Sequence, residues 1–230
     1  MTVSTDSDSD PDPDAAASAA ARAGEPTRTG AHRFGVGWLA LVLTFGLLVG
    51  AGAGFLGPRL LGTPKDDSAE AGFLRDMSTH HAQAVEMSMI AHANSADAQV
   101  VTLSGDIALT QHGQISTMLA WLREWNLSPT GSQPAMAWMP GAEGSVRNGL
   151  MPGMATPDQL ATLRKATGKD LDIQYLTLMR QHHLGGIHMA QGVLELSDEE
   201  KVTGLAQTMV NGQQSEINLI DTMLKRIQQG

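Results

Sequence analysis

Phe73-Leu74-Arg75-Asp76-Met77-Ser78-Thr79-His80-His81 returns 102 residues later as Tyr175-Leu176-Thr177-Leu178-Met179-Arg180-Gln181-His182-His183. Both stretches read aromatic, Leu, two variable positions, Met, two more variable positions, then His-His. The correspondence continues without gaps at the same offset: Met87 meets Met189, Leu103 meets Leu205, Gln111 meets Gln213, Ile115 meets Ile217 and Leu122 meets Leu224. Self-similarity at a fixed offset is the mark of an internal duplication.

Each copy reads as two helices. Apolar residues recur at helical spacing over 72–93 and 96–125, with a polar break near Asn94-Ser95. The second copy repeats the pattern over 171–196 and 199–228, with its break at Ser197-Asp198. Short breaks make paired helices antiparallel neighbours, so the two copies (about 70–125 and 170–228) predict a four-helix bundle with pseudo-two-fold symmetry. Between them, 126–156 is rich in Gly and Pro and reads as a long loop, holding Met136, Met139, Met151 and Met154. Thr156-Pro157-Asp158 has the form of a helix start, an N-cap followed by proline, and predicts a short helix to about Ala166.

Upstream of the first copy the character of the chain changes twice. Residues 1–33 are dominated by Asp, Ala, Ser and Pro and lack the apolar surface to offset ordering entropy, which predicts a disordered tail. From Phe34 to Pro58 there is no charge, and a run of about 20 apolar residues is enough for a helix to cross a bilayer. Arg22, Arg28 and Arg33 precede it, so the positive-inside rule places the tail in the cytoplasm. The expectation is a single-pass membrane anchor over 34–57 and an extracytoplasmic domain over 58–230. The competing reading is a cleaved signal peptide ending near Ala51-Gly52-Ala53. The expected fold class is therefore all-α, a four-helix bundle of two duplicated helix pairs plus one N-terminal transmembrane helix.

The chain has no cysteine, which excludes disulfides and thiolate metal sites. Residues 58–230 carry 18 acidic and 12 basic side chains, a net charge of −6 that disfavours nucleic acid as a partner. At about 100° per residue, Met77, His80, His81, Ala84 and Ser88 share one stripe, and Met179, His182, His183 and Gly186 repeat it. Gln111, Gln114, Ile115 and Met118, and then Gln213, Glu216, Ile217 and Ile220, form the facing stripes of the second helices.

Polar groups brought to a bundle interior need partners. A metal ion is one such partner. Imidazole suits copper, zinc, iron and nickel, while thioether favours Cu(I), so copper is the first metal expected. The alternative is a metal-free polar core in which each His bonds a Gln or Glu across the bundle and the methionines are packing. Adjacent histidines diverge by about 100°, so one of each pair is expected to reach a shared ion. Glu86 and His188 project away from the His-His stripe and read as surface residues. A ferritin-type di-iron site would need several inward carboxylates and Glu-x-x-His motifs, and neither occurs. Hydrolase, phosphate-loop and dinucleotide motifs are absent too, so no enzyme is predicted.

The aromatic, Met, His-His, Met pattern of 73–87 and 175–189, together with the Gln and Glu-Ile positions of the second helices, resembles the bacterial domain of unknown function 305 family. The resemblance implies a ferritin-like fold, export, and a link to copper binding. Carried over by position, it implies Met77, His80, His81, Met87, Met179, His182, His183 and Met189 as metal residues. Gln114 stands where the family pattern implies an acid, which Glu216 retains. The expected function is a membrane-anchored extracytoplasmic protein that sequesters or transfers copper, with an envelope protein as a further partner. A metal-free interaction module of the cell envelope is the alternative.

Overall fold

The computed structural model describes residues 41, 43–50, 62–142 and 144–229. Two compact units, Met1–Gly57 and Pro58–Gly230, make up the chain. In the first unit residues 41 and 43–50 are helical. Among the described residues no helix is long and apolar enough to cross a membrane. This corrects the anchor expected over 34–57, and with it the transmembrane helix of the fold class, the membrane as partner, and the single-pass localisation drawn from them. An apolar run is necessary for a span but not sufficient, because the helix itself must continue for about 20 residues. The rest of that run, and the tail expected over 1–33, lie outside the described residues.

The second unit is all-α. Its helices are α1 (Ala69–Asn94), α2 (Ala98–Glu124), α3 (Pro157–Lys165), α4 (Gly168–Leu196) and α5 (Glu200–Gln229). Their starts are written in the local sequence. Ser68 caps α1 by accepting from Ala71 N–H, and Asp97 caps α2 by accepting from Gln99 and Val100 N–H. Thr156 and Gln159 form a reciprocal capping box at α3, with Pro157 at its first position. Asp97 also pairs with Arg226 at 2.6 Å, which ties the start of α2 to the end of α5.

Helix α1 packs on α2, α4 packs on α5, and the two hairpins meet through α1 and α4. The core is not continuous along the bundle. One apolar cluster joins Phe73, Leu74 and Met77 to Met118, Leu122 and Trp125, and to Met189, Val193, Val202 and Met209. A second joins Met87 and Ala91 to Val100, Leu103 and Ile107, and to Leu171, Tyr175, Met179, Ile220 and Met223. Early α1 thus packs with late α2 and late α4, so α1 runs antiparallel to both. Each fully buried large side chain contributes roughly 1.5–3 kcal/mol. Between the clusters, all four long helices turn polar side chains inward: His80 and His81, Gln111, His182 and His183, and Gln213 are all buried.

The inter-hairpin loop is fastened to the bundle rather than free. Asp76 accepts from Met136 N–H at 2.7 Å and from the Trp138 indole at 2.8 Å, and Trp138 meets Phe73 edge-on at 5.7 Å. Burial raises the Asp76 carboxyl pKa, and the two donors oppose that shift. Gln83 clamps Ala155 from both sides, donating to its carbonyl at 2.9 Å and accepting from its N–H at 2.7 Å. Gly153 has φ +80°, a left-handed conformation that glycine adopts without steric cost, and it lies against the backbone of Gln181. Met136 and Met151 are buried in the first apolar cluster, with Met139 and Met154 packed at its edge.

Candidate metal centre

The polar layer places the two His-His motifs where the hairpins cross. His80, His81 and His183 are 0% exposed and His182 is 1% exposed. The two members of each pair take different directions, as their 100° offset requires. His80 and His182 stack across the α1–α4 interface with ring centroids 3.8 Å apart and planes tilted by 34°. His81 and His183 face the second helix of their own hairpins.

Each imidazole is tied down through Nε2. His80 donates to the Pro152 carbonyl at 2.9 Å, and His182 donates to the His80 carbonyl at 2.9 Å. Neither carbonyl can donate, so the ring proton sits on Nε2 in both. His81 bonds Gln114 Oε1 at 2.7 Å and His183 bonds Glu216 Oε2 at 2.5 Å, each pair separated by 33 residues. Opposite these bonds, the buried Nδ1 atoms of His80, His81 and His183 have no partner.

Burial pushes the His80 pKa down to about 4 and the His81 pKa down to about 3, with the neighbouring histidines adding repulsion to any charge. His182 is held well below the ordinary range for the same reasons. At neutral pH these three rings are therefore uncharged. With the proton on Nε2, the Nδ1 lone pairs of His80 and His81 are left unpartnered on desolvated rings. A ligating histidine characteristically donates its other N–H to a carbonyl or carboxylate, which fixes tautomer and orientation. That arrangement is present here.

The methionines border the layer. Met77 and Met189 belong to one apolar cluster, Met87 and Met179 to the other, and all four are 0% exposed. Two buried thioethers thus lie in each of the apolar clusters on either side of the histidine layer. Gln111 has neither amide atom partnered, and Gln213 Oε1 is also without a partner. Gly186 makes room for Gln213, since a Cβ there would lie 2.5 Å from Gln213 Oε1. Among the described residues no three His, Asp or Glu side chains form a group that could hold a metal ion.

Glu86 pairs with Arg164 at the surface and His188 is exposed, away from the layer. His92 bonds the Val101 carbonyl and His112 is exposed, so neither joins it. Sequence reasoning missed the Pro152 and His80 carbonyls as partners of the histidines. The available signals were Pro152-Gly153 in the loop and Gly185-Gly186 on α4, where the absence of a Cβ at Gly185 lets the Pro152 carbonyl approach.

A family model described as Domain of unknown function (DUF305) matches residues 70–224. A solved structure of a DUF305 protein from Streptomyces coelicolor is similar at 42% identity over 71% of this chain and 96% of that one, with a TM-score of 0.66. A DUF305 fragment from Deinococcus radiodurans is 30% identical over 69% of this chain and 96% of that one, with a TM-score of 0.57. CopM in its Cu(II)-bound form shares the fold, at 21% identity over 69% of this chain and 97% of that one, with a TM-score of 0.54. No curated protein matches the chain.

Proposed function

The chain belongs to the DUF305 family, and from that premise we propose that it binds copper in the polar layer and sequesters or transfers it without turnover. The observation that carries this reading is the set of buried imidazoles tied down at Nε2 and unpartnered at Nδ1. Leaving a buried polar atom unsatisfied costs about 1–3 kcal/mol, and a cation would remove that cost.

The proposed donors are the imidazoles of His80, His81, His182 and His183 and the thioethers of Met77, Met87, Met179 and Met189. The two His-His motifs are taken as tandem copies of one unit, each contributing to the layer. Copper is preferred over zinc because the chain offers thioether and no thiolate, and thioether selects Cu(I). The fold shared with CopM, known in Cu(II)-bound and Cu(I)-bound forms, supports the same metal. When bound, copper would supply a redox-capable cation. The residues present would bind it, orient their lone pairs and exclude water.

A metal-free polar core is the second reading, and two observations favour it. Each of the four imidazoles of the layer already has an Nε2 partner, and no three His, Asp or Glu among the described residues are grouped for an ion. The full chain, loaded separately with Cu(I), Cu(II) and Zn(II) and freed of unbound ion, separates the two. Retained copper that is lost in a folded His80→Gln, His81→Gln, His182→Gln, His183→Gln variant supports the copper centre. A folded wild type that retains no metal refutes it in favour of the polar core.

A further inference from the structure

Positions 114 and 216 are equivalent in the two copies, and each accepts the Nε2–H of the second histidine of its own motif. The acceptors differ in kind. Gln114 offers an amide oxygen at 2.7 Å, whereas Glu216 offers a carboxylate oxygen at 2.5 Å. His81 and His183 are both fully buried, and the Glu216 side chain keeps 25% of its surface exposed. Position, burial of the ring and the ring atom used are therefore matched, and the acceptor's charge is the variable.

We infer that Glu216 makes the His183 half of the layer the tighter copper site and that Gln114 leaves the His81 half the weaker one. The inference rests on the copper reading above and assigns an order to its two halves. Two effects act in the same direction. A hydrogen bond to an ionised acceptor is shorter and roughly twice as strong as one to a neutral acceptor. Drawing the Nε2 proton towards a carboxylate raises the electron density at Nδ1, the atom left to bind the metal. The carboxylate also places a negative charge beside an incoming cation in a site shielded from water, where Coulomb attraction is stronger than in bulk. Glu216 acts through His183 and is a positioning residue rather than a proposed ligand.

The two halves serve as each other's control, because the molecule already tolerates Gln at position 114 and Glu at position 216. Cu(I) affinity is measured on the full chain by competition with a chromogenic Cu(I) chelator, for wild type, Glu216→Gln, Gln114→Glu and the double swap. Each variant's helicity and thermal midpoint establish that it folds. The wild type should show a tighter and a weaker class. Glu216→Gln should weaken the tighter class by about 10–100-fold, the usual effect of losing an outer partner of a ligating histidine, and Gln114→Glu should tighten the weaker class by a similar factor. In NMR spectra the first equivalent of Cu(I) should perturb His183 before His81 in the wild type, and His81 before His183 in the double swap.

Equal affinities in the wild type, unchanged affinity in folded Glu216→Gln, or first perturbation of His81 in the wild type would each overturn the ordering while leaving copper binding intact. A folded wild type that takes up no Cu(I) removes the copper reading itself, and the ordering with it.

Discussion

Lowering the pH of the metal-free protein from 7 to 5 should destabilise the bundle by roughly 4 kcal/mol through His80 and His81 alone. Unfolded, both rings titrate near 6.5, whereas burial holds them at about 4 and about 3 in the folded state. Between those values the unfolded chain binds protons that the native state refuses. Stability is therefore fully present above pH 6.5 and is lost as the pH falls towards the folded values. Each pH unit below 6.5 costs about 1.4 kcal/mol per ring, so pH 5 costs about 2 kcal/mol for each. His182, whose pKa burial also lowers, adds in the same direction.

The lowered carboxylates of Asp97 and Asp221, held by Arg226 and Arg180, have an ordinary value of 3.8 and lose their contribution below this window. Asp76, with its raised pKa, acts in the opposite sense. Against a typical domain stability of about 5–15 kcal/mol, a loss of this size is a large share. Urea unfolding midpoints of chelator-treated protein at pH 7, 6 and 5 measure it, with His81→Gln as the control. That variant should remove about half of the wild-type loss assigned to the pair. Equal midpoints at pH 7 and pH 5, or a pH dependence untouched by His81→Gln, would refute the account of the layer as buried neutral imidazole.

Copper at about 100 times its dissociation constant should raise the unfolding free energy by about 2.7 kcal/mol, read as an upward shift of the thermal midpoint that the quadruple Gln variant lacks. Gly185→Ala would drive a Cβ into the Pro152 carbonyl, and should cost about 1–3 kcal/mol with faster amide exchange at 151–155; exchange equal to wild type would show that the contact does not hold the loop. Asp76→Ala leaves Met136 N–H and the Trp138 indole without their acceptor. It should cost about 1–3 kcal/mol and open the loop to limited proteolysis, and an unchanged cleavage pattern would count against the fastening described above. Tyr175→Phe deletes the hydroxyl bonded to buried Ser88 at 3.1 Å, and should cost about 1 kcal/mol in urea denaturation; an unchanged midpoint would show that the bond does not stabilise the core.

The helices were legible because their signals are local. The expected segments 72–93, 96–125, 171–196 and 199–228 lie within a few residues of α1, α2, α4 and α5, since a stripe repeating every 3.6 residues has one structural solution. The Thr156 cap and Pro157 marked α3 for the same reason. Inward placement of the histidines was legible from the stripe they share with Met77 and Met179. The anchor expected over 34–57 was not borne out: among the described residues no helix is long and apolar enough to cross a membrane, and hydropathy alone does not fix how far a helix runs. The loop also misled in part. Its Gly and Pro content marked irregular backbone, but nothing in composition indicated that Pro152 would accept from His80 or that Ala155 would be clamped by Gln83.

By itself the sequence determined an all-α domain built from helix pairs, the absence of thiolate chemistry, and the residue types available to an interior site. Those are properties of period, composition and spacing, and they survive any arrangement of the helices. Tertiary structure alone decided that His80 and His182 stack between the hairpins while His81 and His183 turn to Gln114 and Glu216. It also decided which ring nitrogen is spent on a hydrogen bond and which is left unpartnered. The physical reason is that a side chain's partner depends on the crossing of helices and on a loop carbonyl 72 residues away, and no local pattern encodes where separate elements come to rest against each other.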